Sequence, residues 1–75
     1  MQEYLIVTFS TTTSAMIAER TFKAHGIRGR LIPLPRQIDA GCGMAWAADP
    51  DAREEIEQFL TQQHLLFDKM VCITF

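Results

Sequence analysis

The chain of 75 residues has two thiols, Cys42 and Cys72. Cys42 stands in the run Ala40-Gly41-Cys42-Gly43. Glycines on both sides remove side-chain cover and let the backbone approach a ligand closely. Successive N–H groups in such a turn can form a small anion-binding nest. A nest of this kind, helped by the charge of Arg36, favours the thiolate and lowers the thiol pKa. The chemistry open to such a group is nucleophilic exchange at sulfur. The same residues also fit a small buried side chain held between two turn glycines. Cys72 lies between Val71 and Ile73 in an apolar run. Cysteine is among the most buried residue types, so Cys72 is expected to be passive packing inside a strand. A native disulfide between the two is not expected.

Other chemistry-bearing groups are sparse. His25 and His64 are far apart in sequence and offer no ligand spacing, so no metal site is expected. There is no Ser/His/Asp set, no phosphate-binding glycine loop and no carboxylate pair at hydrolase spacing. No organic cofactor is implied either. Thr11, Thr12 and Thr13 precede a helix N-terminus, where capping is the ordinary role and anion binding the rarer one. His25 and His64 follow helices and read as complements to the negative helix ends.

Those candidates must be positioned by a small set of elements. Tyr4 to Phe9 is β-branched and aromatic and reads as a buried strand. Residues 13 to 24 read as a helix, with Ala15, Ala18 and Phe22 on one face and Gly26 closing it. Arg30 to Pro33 reads as a second strand, with Pro33 at its end or on a sheet edge. Leu34 to Cys42 is a connection rich in Pro, Asp and Gly, and 43–47 a third strand. Asp49 is the natural N-cap and Pro50 the first residue of a second helix bearing Ala52, Ile56, Phe59 and Leu60. Asp68-Lys69 marks a turn before a last strand from Met70 to Phe75.

The order β-α-β-β-α-β predicts an α+β, ferredoxin-like two-layer sandwich. An antiparallel sheet carries both helices on one face, with the first and third strands central. Residues 1–75 are expected to form one domain, since the length leaves no room for a second core. The prolines Pro33 and Pro35 stiffen the approach to the Cys42 loop, or simply end an edge strand. The first and last strands are apolar on both alternations. A two-layer fold covers only one sheet face, so the other is expected to be a surface for a homodimer or for partner docking, the alternative being side chains that merely line a half-solvated sheet.

Composition narrows the function classes. Hydrophobic residues make up 48% and charged residues 21%, so disorder is disfavoured. The net charge is −2, which argues against a non-specific nucleic-acid binder. No apolar run approaches the roughly 20 residues that a membrane crossing needs. The first nine residues lack a basic start and a small-residue cleavage site, so they do not read as a secretion signal. Two cysteines are too few for a disulfide-stapled secreted domain, which points to the reducing cytoplasm. Charge is unevenly placed. Arg20, Lys23, Arg28, Arg30 and Arg36 face only Glu19 over 19–36, whereas Asp49, Asp51, Glu54, Glu55 and Glu57 face only Arg53 over 49–57. The basic segment could attract an anionic partner, or both could be solvated surfaces.

The run Leu31-Ile32-Pro33-Leu34-Pro35-Arg36-Gln37-Ile38-Asp39-Ala40-Gly41-Cys42-Gly43-Met44-Ala45 resembles the signature of the selenium/sulfur carrier protein-like family. The likeness extends over the first strand, the Ser/Thr-rich turn, the Ala15 to Glu19 helix segment and the Gly26-Ile27 pair. It implies a small bacterial carrier that handles sulfur or selenium on Cys42, with Gly41, Gly43, Pro33, Pro35 and Arg36 as the supporting loop. The implied partners are a donor and an acceptor of the sulfur or selenium atom. Where many members carry a histidine before the first helix, this chain has threonines, so no base is implied on that side. Small sulfur-relay proteins with a Cys-Pro-x-Pro motif are a poorer likeness, since no cysteine precedes these prolines. The resulting expectation is a carrier more than an autonomous enzyme. The alternative is a non-catalytic interaction or small-anion-binding module of the same fold.

Overall fold

The computed structural model describes residues 2–38 and 43–74. Its elements are β1 (Glu3–Thr8), α1 (Thr12–Ala24), β2 (Arg30–Pro33), β3 (Met44–Ala48), α2 (Arg53–Gln62) and β4 (Met70–Thr74). A short 3₁₀ turn, Pro50–Ala52, leads into α2. The strands form one sheet in the order β2-β3-β1-β4, and each neighbouring pair is antiparallel. This is an α+β fold in the ferredoxin-like arrangement, with β1 and β3 central as expected.

Local chemistry sets the helix ends. Thr11 is extended, and its Oγ1 accepts the Ser14 N–H at 3.0 Å, which caps α1. At the other end the Ile27 N–H donates to the Phe22 carbonyl at 2.9 Å and the Gly26 N–H to the Lys23 carbonyl at 3.3 Å. These paired bonds satisfy carbonyls that the helix leaves open, and Ile27 turns back onto the core. Asp49 departs from expectation. It makes no side-chain cap bond, and its carbonyl instead accepts the Ala52 N–H at 3.0 Å. Pro50 tightens the first turn into a 3₁₀ geometry, so the helix proper begins only at Arg53.

Helix α2 stops in the same way as α1 but without a glycine. The Leu65 N–H donates to the Leu60 carbonyl at 3.0 Å, and His64 takes φ 54°. A residue with a Cβ is disfavoured in that left-handed region. His64→Gly is therefore expected to stabilise the fold by about 0.5–1 kcal/mol, the relieved strain less the added freedom of the unfolded chain. That corresponds to a rise in Tm of roughly 2–8 °C. A fall in Tm on thermal melting would instead assign the imidazole a stabilising contact.

The sheet has two different faces. Leu5 and Val7 of β1, with Trp46 and Ala48 of β3, pack against Ala15, Ala18 and Phe22 of α1 and Ile56, Phe59 and Leu60 of α2. Both helices therefore cover the same face. Trp46 centres this layer. Its ring lies 4.6 Å from that of Phe22, and its indole N–H donates to the Arg28 carbonyl at 3.0 Å. On the other face Ile6, Ala45 and Ala47 are buried, although neither α1 nor α2 lies there. Leu34 and Ile38, from the β2–β3 connection, fold back onto them. The face expected to lie open is thus partly covered, and Tyr4, Ile32, Val71 and Ile73 remain half-buried around that cover.

The acidic and basic segments meet each other. Arg28 lies 3.3 Å from Asp51 and 3.7 Å from Glu55, joining the α1–β2 turn to the start of α2. Both pairs are at least half exposed, so each contributes at most about 1 kcal/mol.

Candidate functional site

The β2–β3 connection is pinned at its base. The Leu34 N–H donates to the Gly43 carbonyl at 2.9 Å, which continues the β2–β3 ladder by one step. The Ile38 N–H donates to the Pro35 carbonyl at 3.0 Å, which closes a turn with Arg36 and Gln37 at its centre. Proline fixes the backbone at the start of that turn. Burial of Leu34 and Ile38 against Ile6, Ala45 and Ala47 anchors the segment from below. The result is a stiff arm laid on the sheet face, with Arg36 projecting into solvent.

Four of the expected site residues, Pro33, Pro35, Arg36 and Gly43, belong to this connection. Pro33 ends β2 opposite Met44, exposed on the sheet edge, and Pro35 is half-buried. Gly43, which follows Cys42 in sequence, has φ +80°, a conformation that glycine adopts without a steric cost. Among the described residues, its chain neighbours aside, a Cβ built on it meets no atom within 4 Å. Cys42 and Gly41 lie outside the described residues, as do Asp39 and Ala40.

The register identifies what else shares this end of the sheet. Thr8, the last residue of β1, pairs with Ala45 near the start of β3. Thr8 is fully buried, and its Oγ1 accepts the Lys69 N–H at 3.0 Å and lies 3.4 Å from an Asp68 carboxylate oxygen. The α1 N-terminus and the α2–β4 connection are therefore tied to the end from which the β2–β3 connection leaves. An apolar cleft of about 180 Å³ opens there between Ser14 and Ile17 of α1 and His64, Leu65 and Leu66. Ile17 and Leu66 are exposed large apolar residues, as are their neighbours Met16 and Phe67. Sequence reasoning missed this surface. The signal was present, since Met16 and Ile17 fall outside the Ala15, Ala18, Phe22 stripe.

The second cysteine lies inside the last strand, as expected, but it is not packed away there. Cys72 is exposed, and it is free of any disulfide. The reason is position. β4 lies at the edge of the sheet, so among the described residues one flank of its side chains has no neighbouring strand. Arg53, at the start of α2, reaches it, with Nη1 donating to Sγ at 3.6 Å. Among the described residues no group of three His, Cys, Asp or Glu is placed to hold a metal. Among them too, no helix is long and apolar enough to cross a membrane.

A family model described as "Putative Se/S carrier protein-like" matches residues 4–72. The match runs from β1 into β4 and includes the whole β2–β3 connection. No curated protein and no solved structure matches the chain.

Proposed function

The chain belongs to the selenium/sulfur carrier protein-like family, and from that premise we propose that it carries a sulfur or selenium atom on Cys42. The Cys42 thiolate attacks the outer chalcogen of a persulfide or selenosulfide on a donor protein. A bond forms between Cys42 Sγ and that atom, the donor's S–S or S–Se bond breaks, and the donor cysteine leaves as thiolate. An acceptor nucleophile then attacks the carried atom and releases the Cys42 thiolate. Electrons balance in both steps, so no oxidant is needed.

The observation that carries this reading is the pinned, proline-stiffened arm of Pro33 to Ile38, which meets Gly43 at its base. A carrier thiol needs to be held out for two successive partners without folding back into the core. The Arg36 guanidinium supplies positive charge to the same connection, which favours a thiolate. The apolar cleft of Ile17, Leu65 and Leu66 gives donor and acceptor proteins a surface to dock on at this end. The chemistry needs a reducing compartment, which we assign to the bacterial cytoplasm. Iodoacetamide is expected to alkylate Cys42 faster at neutral pH than it alkylates a model thiol of pKa about 8.5. Alkylation no faster than the model thiol overturns the carrier reading.

A second reading, a non-catalytic interaction module, is favoured by the same exposed cleft and by the half-buried Tyr4, Ile32, Val71 and Ile73 on the opposite face, through which a homodimer could form. In that case Cys42→Ser leaves partner binding intact, whereas Leu66→Ser weakens it.

A further inference from the structure

The two edges of the sheet are built differently. β2 carries Arg30 at one end and Pro33 at the other, both exposed. A charge and a proline are ordinary protections against strand-to-strand association. β4 reads Met70-Val71-Cys72-Ile73-Thr74 and has neither. Its outward hydrogen-bonding groups follow from the ladder. The Thr8 N–H donates to the Lys69 carbonyl at 2.9 Å, and the register pairs Ile6 with Val71 and Tyr4 with Ile73. Alternation in an antiparallel pair then directs the backbone groups of Met70, Cys72 and Thr74 away from β1. These groups line the side of β4 that has no strand beside it among the described residues.

We propose that this edge pairs with β4 of a second copy of the chain, antiparallel and centred on Cys72, to make a continuous eight-stranded sheet. The strand is complementary to itself about that residue. Val71 meets the partner's Ile73 on one face, and Met70 meets the partner's Thr74 on the other. All positions are uncharged, and β-branched pairs of this kind stabilise antiparallel strands. All three outward-facing residues of β4 find partners in this register. A two-fold axis normal to the sheet also sets the half-buried Val71 and Ile73 of both copies side by side. The inference does not depend on the chemistry of Cys42.

The test is the mass of the full chain in solution under reducing conditions. A dimer of twice 8.5 kDa is expected, dissociating on dilution. Cys72→Pro removes an N–H that points away from β1, so it blocks pairing while sparing the β1–β4 ladder. It is expected to be a monomer with an unchanged circular dichroism spectrum. Cys72→Lys places like charges opposite each other, is expected to give the same result, and decides the matter if the proline variant fails to fold. In Cys42→Ser the remaining thiols are the two Cys72 groups. Diamide, which takes up two electrons and two protons, is expected to join them. The Cα separation of about 5.5 Å in such a pair lies inside the range of roughly 4.4–6.8 Å that a disulfide spans. A monomeric native chain overturns the proposal. So does a dimer that survives both Cys72 variants, and Ile32→Glu would then show whether the opposite sheet face holds it.

Discussion

Cys42→Ser is expected to yield a protein that never carries a sulfur or selenium adduct, whatever donor it meets. The native chain, purified gently without reductant, is expected to show in intact mass a fraction heavier by one sulfur or one selenium atom. Dithiothreitol is expected to remove it. A serine hydroxyl cannot form a persulfide, so the effect on loading is complete loss rather than a reduction. The exposed position of Cys72 makes a second variant necessary, because an accessible thiol can also react. Cys72→Ser is expected to keep the adduct. If the adduct survives Cys42→Ser and disappears in Cys72→Ser, the carrier thiol is Cys72 beside Arg53. The proline-stiffened arm is then only a cover for the sheet. If neither variant nor the native chain is ever loaded by a persulfide donor, the interaction-module reading takes its place.

Local signals explain what could be read from the residues alone. β2 was legible to the residue, because Pro33 ends the ladder where a strand can no longer donate. The stripes Ala15-Ala18-Phe22 and Ala52-Ile56-Phe59-Leu60 were legible because each helix buries one face only. Their common side of the sheet followed from the element order. Of the candidate site, Pro33, Pro35, Arg36 and Gly43 were legible as one connection, since they adjoin in sequence.

What was missed depends on neighbours distant in sequence. Cys72 looks the same in an apolar run whether its strand is central or at an edge; only the order β2-β3-β1-β4 decides. Leu34 and Ile38 look like linker residues, yet they bury Ile6 on a face that a two-layer fold would leave open. The basic segment read as an attraction for an anionic partner, or both segments as solvated surfaces, and Arg28 joins them to each other. The cleft at Ile17 and Leu66 needs α1 and the α2–β4 connection to be brought together, which no spacing within either reports.

Among the described glycines, Gly29→Ala is expected to be the most damaging alanine substitution, although nothing in the sequence marks Gly29 above the other glycines. Its φ is +123°, where residues with a Cβ pay a conformational cost of about 1–3 kcal/mol. A Cβ there also has nowhere to go. It falls 2.5 Å from Trp46 Nε1, 2.8 Å from Trp46 Cε2 and 2.6 Å from the Ala47 carbonyl oxygen. The Ala47 oxygen belongs to the central strand β3, opposite Arg30 of β2. Trp46 is held by Phe22 on one side and by its bond to the Arg28 carbonyl on the other. Neither can move without losing core packing, and such overpacking costs typically 1–3 kcal/mol more. The sum, about 2–6 kcal/mol, is a large part of the roughly 4–11 kcal/mol expected for a chain of this length. Urea titration is expected to show a midpoint lowered in proportion, with an unchanged slope if unfolding stays two-state. Gly43→Ala is the contrast, because among the described residues its Cβ meets no atom within 4 Å beyond its chain neighbours, and the backbone cost is what applies. Gly29 adjoins the end of β2 remote from the β2–β3 connection, so Gly29→Ala protein kept folded in the cold is expected to load Cys42 normally. A loss below about 1 kcal/mol would mean that Trp46 can withdraw, and that the indole N–H bond to Arg28 is not what holds it.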